Sequence, residues 1–338
     1  MADQVLMVTR SDDVPARHIA QLLTSRGADV VLFDPASFPT NAVLSASLAA
    51  DGTTRRRLVI DNRAVDLDAL TAIWLGRPSD PTPHPHIVDP IMRDYIRHEC
   101  TAFVADLWRS LHCRAIPATA DVTLEAAHKV SQLRVASQVG FEIPPTLVTT
   151  DPDEFLDFYC SHDGNIVTKV IEQLSRHHEE EGFFRLTELV STRDPGYAAA
   201  IRLCPVIVQP YVPKAFELRV VVVGNHVFAA EIHSQVSTRA RLDWRAYDLG
   251  TAPHRVHHLP DAMAARCRLL VERLGLCYGA IDLIVTPDGR YIFLEINPTG
   301  QYLWLEEAIG LPISAALCDL ILGRDVTAGD GTLGERVA

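Results

Sequence analysis

The sequence predicts an α/β protein whose C-terminal part changes to an α+β arrangement, and three observations support that prediction. Strand-sized apolar runs alternate with helical patterns from the N-terminus, which is typical of an open parallel sheet. From residue 205 onward, strands follow one another across tight turn signals, as in antiparallel hairpins. The length of 338 residues favours two or three domains over one.

The composition argues against several classes of function. The chain carries 31 Lys and Arg against 43 Asp and Glu, a net charge of −12, so it lacks the basic balance of a nucleic-acid binder. The overall negative charge does not exclude a local cationic pocket that binds a phosphate ligand. The sequence has neither a signal-peptide pattern nor an apolar run of membrane-spanning length. Seven scattered cysteines without a CxxC pair favour reduced thiols and a cytoplasmic location.

Residues 1–115 are predicted to form an N-terminal α/β domain. Apolar runs predict strands at 5–8, 30–33, 58–60 and 72–75, with helices from Val14 and over 93–111. No GxGxxG follows the first strand, so a dinucleotide fingerprint is absent. We interpret His84 and His86 as solvated loop histidines, because a metal site needs further ligands close by.

Two further regions and a short tail complete the predicted organisation. The central region, 116–204, contains a helix over 125–138 and strands at 146–149, 166–170 and 183–190, with a polar loop at 172–182. The C-terminal region, 205–325, contains strands at 206–209, 218–223, 227–232, 280–285 and 291–296, and helices over 260–274 and 312–322. Residues 326–338 are a polar tail.

Three oxygen-bearing side chains mark the last predicted hairpin, AIDLIVTPDGRYIFLEINPTG. Glu295 and Asn297 alternate along one strand and point to the same face, and Asp282 lies roughly opposite on the partner strand. Carboxylate and amide oxygens suit Mg²⁺, which binds one or two carboxylates together with substrate phosphates. The alternative is a solvated polar sheet face, but these residues interrupt a strongly apolar strand, where an unpaired carboxylate is costly.

Lysine is rare in this arginine-rich chain and occurs only at positions 129, 169 and 214. Lys169 ends a strand with a buried pattern, so its ammonium either needs an anionic partner such as a nucleotide phosphate or extends past the strand end. Lys129 falls in the middle of the predicted helix over 125–138, where a surface position is the simpler interpretation.

A third polar pair, Glu217 and Arg219, shares one face of the strand FELRVVVV. The forked guanidinium suits a phosphoryl oxygen and a glutamate accepts from ribose hydroxyls, whereas the alternative is a salt bridge within the sheet. The preceding segment IVQPYVP has the pattern of a strand that leaves one domain as a hinge. Its backbone suits an adenine edge, and the alternative is an ordinary proline-bounded connection.

In this order, the residues resemble the signature of the ATP-grasp superfamily over 115–325: Lys, Lys on a strand, loop, hinge, Glu-x-Arg, Asp and Glu-x-Asn. FELRVVVVG and LEINPTGQYLWLE are most similar to ATP-grasp maturases of ribosomal peptides, the graspetide or microviridin-type macrocyclases, which are related to ribosomal-protein glutamate ligases. LFDPASFP and WLGRP are similar to segments of the actinobacterial branch, which extends the resemblance over nearly the whole chain.

The resemblance implies a role for each residue. It puts Lys129 and Lys169 at the nucleotide phosphates, and Arg219 at the γ-phosphate or acyl phosphate. Arg245, chosen from the cluster with Arg239 and Arg241, is expected at the transferred phosphate. The other implied contacts are adenine at Gln209 and the backbone of Tyr211 and Val212, ribose at Glu217, and Mg²⁺ at Asp282, Glu295 and Asn297.

Two departures from the family pattern concern the loop at 172–182, which the resemblance identifies as the lid. The loop is not rich in glycine and contains His177, His178 and three consecutive glutamates. Val170 also follows Lys169 where proline is frequent. These departures leave the contacts of the lid open.

The resemblance implies an ADP-forming carboxylate ligase that uses ATP and Mg²⁺. It would activate Asp or Glu side chains of a precursor peptide as acyl phosphates and close ester or amide rings with Thr, Ser or Lys. The alternative is a ligase that joins a free amino acid or small amine to a carboxylate. A nucleotide-binding regulator and a metal hydrolase are weaker rivals. The N-terminal region and the helix around 93–109 are candidate surfaces for binding the leader of the precursor peptide. The resemblance is also compatible with a homodimer.

Overall fold

The computed structural model describes residues 2–171, 186–191, 194–236, 242 and 253–324. Its α-helices are α1 (Val14–Ser25), α2 (Pro90–Arg109), α3 (Ala120–Ala126), α4 (Lys129–Gln138), α5 (Pro152–Ser161), α6 (Asp261–Arg273), α7 (Leu303–Ile309) and α8 (Ile313–Ile321). Its strands are β1 (Gln4–Val8), β2 (Asp29–Phe33), β3 (Ala42–Leu48), β4 (Thr54–Ile60), β5 (Arg63–Asp66), β6 (Ala72–Leu75), β7 (Arg114–Ile116), β8 (Leu147–Thr149), β9 (Ile166–Lys169), β10 (Glu188–Leu189), β11 (Val206–Pro210), β12 (Phe216–Val223), β13 (His226–Ile232), β14 (His254–Val256), β15 (Tyr278–Val285) and β16 (Tyr291–Asn297).

The N-terminal sheet is parallel and open, as the alternating pattern predicts. Its strand order is β2-β1-β6-β7, and α1 connects β1 to β2. Helix α1 begins after Asp13, whose side chain accepts a hydrogen bond from the N–H of Ala16 at 3.2 Å. Gly27 follows the helix with φ of +90°, a conformation that glycine adopts without steric cost, and the chain turns back into β2.

A small antiparallel sheet of order β3-β4-β5 lies beside this unit, and the sequence predicted only a fragment of it. The strand predicted at 58–60 is the end of the longer β4. Strand β3 reads AVLSASL and lacks a strong strand signal, because Ala and Ser pack poorly on a pleated surface. It pairs with β4 along its whole length, so this strand forms through pairing rather than intrinsic preference.

The prediction of one helix over 125–138 is wrong. The chain forms two helices, α3 and α4, and His128 between them has an extended backbone with φ of −72° and ψ of 112°. The break makes Lys129 the first residue of α4 rather than a mid-helix residue. The break accompanies a tertiary contact: α4 packs against β16, and its first residue pairs with Glu295 on that strand.

The central sheet is antiparallel, with the order β10-β9-β11-β8. Helix α5 and the residues around Ala198 and Ile201 cover its apolar face. Of the strand predicted at 183–190, the described part is β10, while 183–185 lie outside the described residues. The loop at 172–182 and the tail at 326–338 also lie outside them.

The C-terminal sheet is antiparallel, with the order β14-β13-β12-β15-β16. One of its faces packs against α6 and α4 through residues such as Leu218 and Phe293. The opposite face is apolar in one half, where Val221 and Tyr278 join a core that includes β1 and α1. The other half of that face carries charged side chains. Both faces of the sheet therefore pack against other elements, and the charged half of one face is its polar surface.

A bulge in β16 interrupts the regular alternation of this sheet. Asp282 pairs with Glu295, but the next residue, Leu283, pairs with Phe293, so Leu294 is an extra residue. Phe293 therefore lies in the core with none of its surface exposed, although it is only two residues before Glu295 on the other face.

The described residues include no helix with the length and apolar character needed to cross a bilayer. All seven cysteines are free thiols in the structure.

Candidate functional site

A row of charged side chains crosses three adjacent strands on the polar half of the C-terminal sheet. Arg219 on β12 lies directly opposite Asp282 on β15, and Asp282 lies directly opposite Glu295 on β16. Residues in direct cross-strand register point to the same face of a sheet. The structure therefore brings together three residues that the sequence predicted as site residues.

The guanidinium of Arg219 is buried and holds the carboxylate of Asp282. Its Nη1 donates to Oδ1 and to Oδ2 of Asp282, at 2.9 Å each, and its Nη2 donates to the carbonyl of Gln301 at 3.2 Å. Arg219 is 6% exposed and Asp282 is 8% exposed. Among the described residues, the buried Nε of Arg219 has no hydrogen-bond partner. The guanidinium is thus held in place and keeps one donor for another acceptor.

The ammonium of Lys129 faces the same row from the first turn of α4. Its Nζ lies 2.5 Å from Oε2 of Glu295, and both side chains are 19% exposed. The interpretation of Lys129 as a surface residue is therefore wrong. Among the described residues, Glu295 pairs with Lys129 and Asp282 pairs with Arg219, so two cations and two carboxylates share a confined space.

Asn297, the third predicted metal ligand, lies one alternation beyond Glu295 and opposite Ala280. Its Oδ1 accepts a hydrogen bond from the N–H of Thr299 at 3.0 Å. Asparagine commonly closes turns in this way, and the bond fixes the orientation of the amide. A carbonyl oxygen has two lone pairs, so Oδ1 keeps acceptor capacity.

Gly300 lets the turn after β16 approach the guanidinium closely. A Cβ at this position would lie 2.7 Å from Nη2 of Arg219 and would also collide with the side chain of Ala280. The carbonyl of Gly300 accepts a hydrogen bond from the hydroxyl of Tyr278. Burial raises the pKa of this tyrosine well above its ordinary value, so the hydroxyl stays a donor.

Lys214 belongs to the same site, and the sequence reasoning did not assign it. Its Nζ donates to Oε1 of Glu217 and, at 3.0 Å, to the carbonyl of Leu242. Lys214 is 8% exposed and Glu217 is 4% exposed, so this ion pair is buried. The available signal was the scarcity of lysine, since this is the third of only three in the chain.

The central sheet presents Lys169 and Gln209 on one face. Lys169 lies opposite Ile207, and Gln209 lies two residues further along the same strand, so the two side chains share a face. Nε2 of Gln209 donates to Oγ1 of Thr146 at 2.8 Å. The N–H of Tyr211 donates to the carbonyl of Asn165 at 2.8 Å. The Tyr211 N–H is thus bonded inside the protein and does not face an adenine edge in this structure.

The predicted catalytic residue Arg245 lies outside the described residues, as do Arg239 and Arg241. The lid loop at 172–182, with its two histidines, lies outside them too. The roles of these residues stay predictions.

Several of the described histidines contact other side chains away from the charged row. The rings of His84 and His86 pack edge to face, with centroids 4.6 Å apart. His233 and His257 each bond one oxygen of Glu231 at 2.8 Å. Burial raises the pKa of Glu231, but the hydrogen bonds from the two histidines lower it by more, so the pKa lies below its ordinary value. In the part of the chain that the structure describes, no three His, Cys, Asp or Glu side chains form a metal-binding group.

The row with two carboxylates and an asparagine matches the ligand chemistry of Mg²⁺. This ion prefers oxygen ligands, takes one or two carboxylates from the protein and leaves positions for water and phosphate. The side chains of Asp282 and Glu295 are neighbours on one face, and the nearby cations suit phosphate oxygens. The residues present therefore fit a magnesium–nucleotide site.

Comparisons with known proteins give a consistent result. The family model described as the MvdD pre-ATP grasp domain matches residues 4–123. The chain is similar to the macrocyclase MdnB of Microcystis aeruginosa MRC, with 30% identity, a TM-score of 0.79, and coverage of 95% of this chain and 99% of that one. No curated protein sequence gives a significant match.

Two further solved structures extend this similarity. The macrocyclase MdnC of Microcystis aeruginosa MRC, solved with the precursor peptide MdnA, is 29% identical with a TM-score of 0.84, covering 95% of this chain and 99% of that one. An ATP-grasp ligase of Chryseobacterium gregarium, associated with a modified ribosomal peptide and solved with ADP and a leader and core peptide, is 26% identical with a TM-score of 0.88. That match covers 96% of this chain and 98% of the ligase.

Proposed function

Because the chain belongs to the ATP-grasp macrocyclases of ribosomally made peptides, we propose that it closes side-chain rings in a precursor peptide and converts ATP to ADP. It is an ATP-grasp ligase, with the mixed parallel and antiparallel sheets of that fold. The substrate carboxylate is an Asp or Glu side chain of the peptide, and the nucleophile is a Thr, Ser or Lys side chain of the same peptide.

The observation that carries this proposal is the row of Arg219, Asp282 and Glu295 on one sheet face, which Lys129 joins from α4. Lys129 pairs with Glu295, and Arg219 pairs with Asp282. Phosphoryl transfer is catalysed mainly by positioning and by stabilisation of charge on the phosphate. A site for this chemistry needs cations for the phosphates and oxygen ligands for a metal at the same place, and this row supplies both.

Each ligand of the reaction has a proposed set of residues. Asp282, Glu295 and Asn297 would hold Mg²⁺, which supplies positive charge to the phosphates when it is bound. Lys129 and Lys169 bind the nucleotide phosphates, and Arg219 orients the phosphoryl group that is transferred. Glu217 accepts from the ribose hydroxyls. The adenine contacts are Gln209 and the backbone of Tyr211 and Val212. Arg245 keeps its proposed role at the transferred phosphate.

The proposed reaction has two steps. A carboxylate oxygen of the peptide attacks the γ-phosphorus of ATP, ADP leaves, and an acyl phosphate forms on the peptide. The hydroxyl or amine then attacks the acyl carbon, inorganic phosphate leaves, and the proton of the nucleophile is released. The net change in the peptide is the loss of one water for each ring. The buried guanidinium of Arg219 stabilises charge on the transferred group in a site of low dielectric.

Intact-mass spectrometry tests the proposal directly. The purified protein is incubated with MgATP and with each short acidic peptide, containing Thr, Ser or Lys, that is encoded near its gene. We expect ATP-dependent loss of one water mass for each ring. A gain of mass by an added amino acid or amine would identify an intermolecular ligase instead. Unchanged masses for every peptide would contradict ring closure as the activity.

The remaining proposals concern context. We place the protein in the cytoplasm, with domain boundaries near residues 115 and 204, and we assign leader binding to the N-terminal and central regions. Helix α2 has no buried residue in its first fourteen positions, 90–103, which leaves a long surface available. Its arginines are engaged locally, since Arg97 pairs with Asp94 and Arg109 with Asp121. A homodimer stays part of the proposal.

A further inference from the structure

Strand β16, which carries two of the three proposed metal ligands, is an edge of the C-terminal sheet. The outward N–H and C=O groups of an edge strand need partners from outside the sheet. At one end, the N–H of Phe293 donates to the carbonyl of Glu142 at 2.8 Å. At the other end, the partner among the described residues is the side chain of Gln132 on α4.

The amide of Gln132 pairs with both backbone groups of Ile296. Its Nε2 donates to the carbonyl of Ile296 at 2.7 Å, and its Oε1 accepts from the N–H of Ile296 at 3.2 Å. Nε2 also donates to the carbonyl of Ala126 at 2.7 Å, at the end of α3. The side chain is 2% exposed. One buried amide thus takes the place of a neighbouring strand residue and also ties α3 to this edge.

The position of this contact in the sequence links it to the site. Ile296 lies between Glu295 and Asn297, and Gln132 lies one helical turn after Lys129 on α4. Residues at i and i+3 share a helix face. The helix that carries the phosphate-binding lysine is therefore bonded to the strand segment that carries the metal ligands.

We propose that Gln132 is a positioning residue that fixes the distance between Lys129 and the metal-ligand segment of β16, and thereby sets the affinity of the site for the magnesium–nucleotide complex. This inference rests on the proposed function. Magnesium demands near-ideal octahedral geometry, so it tolerates little movement of its ligands. An apolar side chain of equal size would fill the same volume but would leave three backbone groups without partners.

The test compares Gln132→Met with the matched control Leu133→Ala. Leu133 is the next residue of α4, is 6% exposed, and packs in the core rather than on the backbone of β16. Binding of ADP is measured by calorimetry at a series of Mg²⁺ concentrations, without peptide. Mg²⁺ should increase the affinity for ADP, and for Gln132→Met we expect at least a tenfold rise in the Mg²⁺ concentration that gives half of this increase. The affinity for ADP without metal should stay within twofold of wild type.

A second readout follows the backbone itself. Hydrogen exchange of the Ile296 amide should be at least tenfold faster in Gln132→Met, because that amide loses its acceptor. Leu133→Ala should lower thermal stability while both readouts stay within twofold of wild type. Should Gln132→Met not fold, Gln132→Glu replaces it: this variant keeps the length and loses the donor, so the Mg²⁺ requirement should rise in the same way.

The outcomes separate the inference from the function on which it rests. Wild-type Mg²⁺ dependence in the folded Gln132 variant, or an equal shift in Leu133→Ala, would overturn the positioning role alone. A wild-type protein whose ADP binding does not respond to Mg²⁺ would overturn the proposed function, and this inference with it.

Discussion

Arg219 and Asp282 face each other directly across two neighbouring strands, and one guanidinium nitrogen bonds both carboxylate oxygens at 2.9 Å. The second terminal nitrogen is held by the carbonyl of Gln301. The side chain therefore needs several donors in one plane, which arginine has and lysine lacks. Charge alone does not explain why this position is an arginine.

Arg219→Lys keeps the charge and should still lower the rate of ring closure by about 10²–10³-fold, the usual effect of losing one positioned donor in a transition state. The rate is followed as loss of water mass from the peptide. Lysine has a single terminal nitrogen, which cannot take the place of both Nη1, bonded to Asp282, and Nη2, bonded to the Gln301 carbonyl. An unchanged rate would show that only the charge matters at this position.

Glu295→Gln removes a negative oxygen from the proposed metal site without changing its volume. The loss of an outer-shell partner already lowers metal affinity by about 10–100-fold, so the loss of a ligand should lower Mg²⁺-dependent ATP turnover by at least that factor. Glu307→Gln, at an exposed position of α7, is the matched control and should behave as wild type. Asn297→Ala should act like Glu295→Gln. Wild-type turnover in either site variant, with Mg²⁺ the only metal present, would remove these residues from the metal site.

Gly300→Ala places a methyl group against Arg219 and Ala280. Overpacking of this kind costs about 1–3 kcal/mol of stability, and the displaced guanidinium should reduce ring closure further. Gly196→Ala is the control, since a Cβ there meets nothing within 4 Å. Denaturant unfolding and the mass assay are run on both variants. Equal results for the two would mean that the turn has room for a side chain.

Lys214→Met removes the cation from the buried carboxylate of Glu217. The loss of one partner from a buried ion pair costs about 3–5 kcal/mol, because the buried carboxylate that stays behind loses this cation. The double variant Lys214→Met with Glu217→Gln should regain much of that stability but not nucleotide affinity, since Glu217 is proposed to bind the ribose. The measurements are denaturant unfolding and ADP binding. A single variant as stable as wild type would show that the pair contributes little to the fold.

The stability of the protein should fall as the pH drops below 6.5, partly because of His254. Burial, followed by the charge of His233, lowers the pKa of His254 from its ordinary value of 6.5. Below pH 6.5 the unfolded chain therefore takes up a proton that the folded protein does not bind, and acid favours unfolding. The buried Nε2 has no hydrogen-bond partner among the described residues, so His254→Phe should be tolerated. This variant should show a smaller decline from pH 7 to pH 5.5, and an identical decline would contradict the assignment.

Local patterns were sufficient to predict the metal-ligand candidates. Glu295 and Asn297 are two residues apart on a strand, and strand alternation alone puts them on one face. Asp282 was expected opposite them from the single turn between the strands, and the register agrees with that expectation. The parallel start of the fold was likewise predictable, because buried strands and an amphipathic helix follow each other with clear end signals.

Positions that depend on contacts between distant segments were not predictable. Lys129 starts a separate helix that packs on β16, and residues 125–138 contain no glycine or proline that would predict the break. Lys214 and Gln132 have ordinary sequence surroundings, and their importance comes from partners that are distant in the chain or buried. Strand β3 has weak local preference and forms by pairing with β4.

The extra residue Leu294 has a consequence for protein engineering. The alternation of side chains would give Phe293 and Glu295 the same orientation, and the bulge separates them. Without Leu294, Phe293 and Glu295 would be adjacent in the chain, so regular strand alternation would still put them on opposite faces of the sheet. Deletion of this one codon should therefore keep the orientation of both side chains, whereas deletion of Ile296 would put Glu295 and Asn297 on opposite faces. Chimeras with related ligases should be joined outside 291–297, so that the spacing of the proposed metal ligands is inherited intact.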